Sequence, residues 1–194
     1  MKKILISLLC LFVFTLCHAQ LKVFVKFTLY DNTPLVSENS YDRVHKGELL
    51  LTTYADNDEQ TLNIGSQSTG AGAGKVVFNP TTFSKLAGAN SAKFFQMMAS
   101  GTPFKFAEYN FYNSADQLVF RVTLKLVAIK AIQRAAATCS GNCPGVIENY
   151  SVEYGGKVIT VFVMSPDGTP GTSYTYGWNR VKNIADNDPT TSIN

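Results

Sequence analysis

Few of the 194 residues stand in arrangements that could do chemistry. Of the four cysteines, Cys10 and Cys17 lie in an N-terminal segment that reads as an export signal, which leaves Cys139 and Cys143 in the run Cys-Ser-Gly-Asn-Cys-Pro. A structural zinc site needs four ligands, and His45 is the one histidine left to join them. An even cysteine pair in an oxidising compartment reads instead as a disulfide, with Gly141 and Asn142 tolerating the left-handed turn between the sulfurs. The run Gly70-Ala-Gly72-Ala-Gly74-Lys75 invites a phosphate reading but fails the P-loop pattern at Thr69 and Val76. A strand pattern follows it, so no helix N-terminus is aimed at a phosphate. Asp56, Asp58 and Glu59 lack the twelve-residue spacing and closing Glu of a calcium loop and read as a solvated turn. Around His45 there is no His–Cys or His–Ser–Asp order, and no G-x-S-x-G elbow occurs. The expectation is a protein that is not an enzyme, with no catalytic residue, cofactor or metal.

Composition narrows the partners. Charged residues make up only 16% of the chain, against 45% apolar. One Trp, nine Tyr and 13 Phe suit a β-rich chain that buries surface against something else. The formal charge is +3, and without Lys2 and Lys3 it falls to +1, too little basic surface for DNA or RNA. Lys2-Lys3, the apolar run Ile4–Leu16 and Ala19 before Gln20 form a signal-peptide pattern over residues 1–19. At 13 residues this run is too short to span a membrane, which takes about 20. Export to the periplasm or the medium follows, with no stable membrane insertion.

The elements that must carry this surface are mostly strands. Val23, Val25, Phe27 and Leu29 alternate in Lys22–Tyr30. Leu118, Phe120, Val122, Leu124 and Leu126 alternate in turn, and the phase then slips to Val127 and Ile129, which predicts a bulge or a corner. Phe104 and Phe106, then Tyr109 and Phe111, slip similarly. Tyr150, Val152 and Tyr154 alternate, and Lys157–Met164 is apolar on both faces, as in a strand that is either central or covered on both sides. Glu48–Tyr54, Lys75–Asn79 and Ser173–Trp178 are shorter candidates. One helix is predicted, with Ser91 as N-cap, Gly101 as C′ residue and a stripe of Phe94, Phe95, Met97 and Met98. Asp56–Gly74 is a long loop, and the chain from Asp186 is a polar tail with no apolar period. The predicted fold is mainly β: one antiparallel β-barrel domain over residues 20–182 with one short α-helix packed outside, then a polar tail over 183–194.

Three segments carry a resemblance. They are Ala71-Gly-Ala-Gly-Lys-Val-Val-Phe78, the run from Phe83-Ser-Lys85 to Ser91-Ala-Lys-Phe-Phe-Gln-Met-Met-Ala-Ser-Gly101, and Glu148-Asn-Tyr-Ser-Val-Glu-Tyr-Gly155 followed by Gly177-Trp178-Asn179. In order and spacing the chain from Leu21 to Lys182 resembles the haemolysin-coregulated protein (Hcp) family, the tube protein of type VI secretion systems. The resemblance implies a structural, homohexameric ring, stacked into a tube that carries effectors in its lumen and meets sheath and tip proteins. By position, Asp56–Ala73 matches the family's extended loop, so Asp56, Gly65, Gly70 and Gly72 are expected at a contact between subunits or rings. The signal peptide and the Cys139–Cys143 loop depart from the family pattern and point to an exported relative. Such a chain either keeps the ring or acts as a monomeric binding or adhesion module.

Overall fold

The computed structural model describes residues 21–35, 44–61, 76–137, 145–165 and 168–193. The export segment, the Cys139–Cys143 turn and Gly65, Gly70 and Gly72 lie outside the described residues. The strands are β1 (Lys22–Thr28), β2 (Leu49–Leu50), β3 (Thr53–Ala55), β4 (Asp58–Gln60), β5 (Val76–Phe78) and β6 (Thr81–Leu86). Helix α1 (Ser91–Ser100) follows, then β7 (Phe104–Tyr112), β8 (Leu118–Ala136), β9 (Val146–Met164), β10 (Pro170–Asn179) and β11 (Ile184–Ala185). The main sheet is antiparallel in the order β11-β10-β9-β8-β7-β1-β2, with β6 also on β9 and β3 on β6. Strands β4 and β5 form a separate two-stranded ribbon.

The predicted closed barrel is not what the strand ladders give among the described residues; they run as an open path. The reason lies in Leu49–Ala55, which changes partner midway. Leu51 N donates to Val23 O of β1 at 2.9 Å, and Thr52 N to Ser84 O of β6 at 2.8 Å. Neither β2 nor β3 is long enough to ladder with both neighbours.

The predicted phase slip in β8 falls at Leu126, and the one in β7 falls earlier than expected, between the buried Phe104 and Ala107. Leu126 adopts φ +51°, left-handed for a residue with a Cβ, a conformation costing about 1–2 kcal/mol. On either side of it Lys125 faces Gly156 and Val127 faces Tyr154. On the other neighbour, Phe106 faces Lys125 and Phe104 faces Val127. The side-chain phase therefore switches in β7 and β8 on one line, which crosses β9 at Gly155. That position is glycine for a reason: a Cβ there would stand 3.0 Å from Leu126 Cδ2. A second register shift falls between Ile129 and Ala131.

The core is aromatic. Phe27, Phe83, Phe94, Phe104, Tyr109 and Tyr150 are all buried, and Phe83 stacks on Tyr150 at 4.8 Å. Helix α1 enters this cluster through Phe94, whose ring lies 5.1 Å from both Phe27 and Tyr150. Two expectations about the helix need correcting. Asn90, not Ser91, occupies the N-cap position. Ser91 instead accepts from Gly88 N at 3.0 Å and donates to Glu148 Oε2 at 2.6 Å. The apolar stripe is also narrower, because Phe95 is half-exposed beneath the Arg134 guanidinium. The C-terminal end is as expected: Gly101 at φ +65° lets Gly101 N reach Met98 O and Thr102 N reach Met97 O, a Schellman motif.

The polar tail folds back onto the sheet. Ile193 is buried, and a Cβ on Gly156 would come within 2.7 Å of its Cδ1. Asp186 N donates to Gly177 O at 3.0 Å, and the Asp186 carboxylate accepts from the fully buried Lys125 at 2.7 Å. The tail thus lies against the face of β9 that carries the buried Val158. Cover on both faces stops there, since Val161 and Val163 are exposed.

Candidate functional site

Asp56 and Asp58 lie two residues apart where β3 passes into the β4–β5 ribbon, at the root of the long loop. They are not a solvated turn. Lys157 of β9, only 4% exposed, donates to Asp56 Oδ1 and Oδ2, each at 2.7 Å, and to Asp58 Oδ2 at 2.8 Å. Thr81 Oγ1 donates to Asp56 at 3.0 Å and Tyr154 OH to Asp58 at 3.2 Å. The Lys157 ammonium also stands 4.9 Å from the centre of the Tyr154 ring. A second cation completes the root. Arg180 lies over the rings of Phe78, at 5.2 Å, and Tyr154, at 4.7 Å, and donates to Tyr154 O at 2.8 Å. Asp56 is half-buried and Asp58 exposed, and two carboxylates so close are tolerable because the buried Lys157 ammonium sits between them. Burial, with the Asp56 charge behind it, pushes the hydroxyls of Tyr54 and Tyr109 well above the ordinary tyrosine range.

A second buried charge fixes the helix. Glu148 Oε2 accepts from Lys85 Nζ at 2.9 Å, Ser91 Oγ at 2.6 Å and Tyr150 OH at 2.6 Å, while Oε1 accepts from Arg134 Nε at 2.8 Å. Burial is the largest single influence and opposes the charge. The hydrogen bonds from Ser91, Tyr150 and Lys85 together outweigh it and hold the carboxyl at about 2.

Strand β10 carries the exposed apolar surface. Tyr174 is 54% exposed and Tyr176 69%, with Trp178 next in the same row. Tyr174 faces Val161 across the ladder, Tyr176 faces Ile159 and Trp178 faces Lys157. The outer edge of β10 pairs with β11 only at Trp178 and Asn179. From Ser173 to Tyr176 no strand pairs on that edge among the described residues.

His45 is structural. It is buried, stacks on Phe24 at 4.0 Å and sets Nδ1 3.1 Å from Glu48 Oε2. Among the described residues no cluster of three or more His, Cys, Asp or Glu side chains could hold a metal, and no helix is long and apolar enough to cross a membrane.

The family model described as type VI secretion system effector, Hcp, matches residues 27–161. The chain belongs to the Hcp family. Its match runs from Phe27 to Val161 and takes in both the aspartates and Lys157 of the loop root. The aromatic row of β10 and the docked tail lie beyond it. No curated protein matches the chain. Among solved structures, one described as that of a type six secretion system protein is 17% identical, with a TM-score of 0.75 over 86% of this chain and 100% of that one. Hcp1 from Salmonella typhimurium is 16% identical, TM-score 0.66, over 87% and 100% of the two chains. The secreted protein Hcp3 from Pseudomonas aeruginosa is 14% identical, TM-score 0.54, over 80% and 97%. These likenesses show the Hcp fold, mainly β with one helix among the described residues.

Proposed function

We propose that this member of the Hcp family is an exported structural protein that works by self-association into a closed, hexameric ring. The observation that carries the reading is the β10 row of Tyr174, Tyr176 and Trp178 beside an unladdered strand edge. Aromatic residues exposed in a row are costly in water and gain by burial in an interface. A heterologous contact that closes makes a ring without open-ended growth. The seam at Leu51–Thr52, bonded to Val23 and Ser84, supports a barrel-like subunit. The loop Asp56–Ala73, with Gly65, Gly70 and Gly72, is the second contact, between subunits or stacked rings. Effectors in the lumen and sheath or tip proteins at the ends are the partners that family membership suggests.

Export by residues 1–19 and a Cys139–Cys143 disulfide belong to the same reading. Mass spectrometry of the exported protein should find Gln20 as its first residue, and thiol titration after unfolding should find no free sulfhydryl before reduction. Sedimentation of that protein at micromolar concentration tests the ring. A six-subunit particle is expected. A monomer at every concentration would sink the ring and favour the monomeric binding or adhesion module.

A further inference from the structure

The β4–β5 ribbon stands apart from the main sheet, yet a two-stranded ribbon alone in water is marginal at best. Its orientation must come from what holds it. Two cations bind its root, Lys157 to Asp56 and Asp58 and Arg180 to Phe78, beside the Thr81 and Tyr154 hydroxyls and the packing of Phe78 on the core. Both cations also belong to the aromatic face. Lys157 is the register partner of Trp178, and Arg180 follows β10 directly, its backbone N bonded to Gly155 O at 2.8 Å. One buried ammonium therefore ties the root of the long loop to the end of the exposed aromatic row.

We infer that Lys157, backed by Arg180, is a positioning residue that holds the β4–β5 ribbon at a fixed angle to the β9–β10 face, so that one subunit meets its neighbours through both at once. The inference rests on the self-association proposed above, with a second copy of this chain as the partner. Lysine suits the task because its ammonium donates to three carboxylate oxygens in different directions, while the Tyr154 ring closes off the remaining side.

The test uses the exported protein with Lys157→Met and Lys157→Arg, read by hydrogen exchange and by sedimentation. Lys157→Met should speed amide exchange in residues 58–60 and 76–78 at least about tenfold, leave β7 and β8 protected, and weaken self-association about tenfold or more. Lys157→Arg, which keeps the charge but offers its donors in a planar fork, should recover part of both. Uniform acceleration, unchanged ribbon exchange, or normal assembly by Lys157→Met would overturn the inference. Should Lys157→Met fail to fold, Asp58→Asn, at the more exposed carboxylate, takes its place with the same readouts. If the wild-type protein never self-associates, the ring is wrong, and the ribbon-specific exchange still decides whether Lys157 sets the ribbon.

Discussion

Glu148 keeps its charge inside the molecule, and that makes the fold sensitive to acid. In the unfolded chain its carboxyl takes up a proton near the ordinary value of 4.5, but in the folded protein only near 2. Stability from this group is therefore full above about pH 4.5 and is lost as pH falls towards 2, on the order of 3 kcal/mol in all. Urea midpoints at pH 7, 4 and 2 should drop across that window. Glu148→Gln should flatten the drop while lowering stability at pH 7 by about 3–5 kcal/mol, because Lys85 and Arg134 lose their common anionic partner. Equal wild-type midpoints at pH 5 and 2 would refute the assignment. Gly177 is a different kind of constraint. A Cβ there would meet the Asp186 carbonyl and stand 2.6 Å from Lys157 O, both backbone atoms that cannot swing aside. Gly177→Ala should cost about 1–3 kcal/mol, read as a lower melting temperature.

At the scale of elements, α1 offers a paired test of which residues face inward. Phe94→Ala should cost about 3–5 kcal/mol, since its ring sits among Phe27, Phe104 and Tyr150. Phe95→Ala should stay within about 0.5 kcal/mol. Equal losses in chemical denaturation would restore the wider stripe that periodicity alone suggested. Alternation made the long strands legible, and even the line through Leu126 was foreshadowed by the slipped phase, because period two records which side of a sheet each residue faces. The Gly101 terminus was legible too, since few residues but glycine sit at positive φ. Local signals failed where a residue's role depends on a distant partner. Lys125, Lys157 and Glu148 look like solvated charges until the fold buries them. Ile193 is one apolar residue in a polar string and gives no period, yet it packs on Gly156. Asn90 holds the N-cap position without a side-chain capping bond, so its type could not mark it over Ser91, whose hydroxyl is bonded to Glu148.

For the whole molecule, the proposed ring makes self-association the quantity to measure. Tyr176 is exposed and lies within the β10 row, so Tyr176→Asp should leave the melting temperature almost unchanged. In sedimentation the same substitution should weaken self-association at least about tenfold, because it places an unpaired charge in an apolar contact. Assembly indistinguishable from wild type would move the interface elsewhere. One feature of the topology also bears on how the protein is made. Strand β1 ladders along its full length with β7, and Lys22 meets Tyr112 ninety positions later. Among the described residues, nothing closer in sequence ladders with β1 beyond the two residues of β2 and a single bridge from Thr28 to Pro34. The first strand must therefore wait for more than half of the chain to be synthesised, and closing so long a loop is slow. A polypeptide that stays open while it emerges can still be threaded through a narrow translocation channel. In the export reading proposed above, the remote pairing of β1 with β7 doubles as a delay, keeping the chain fit for transport until it reaches the compartment where it folds.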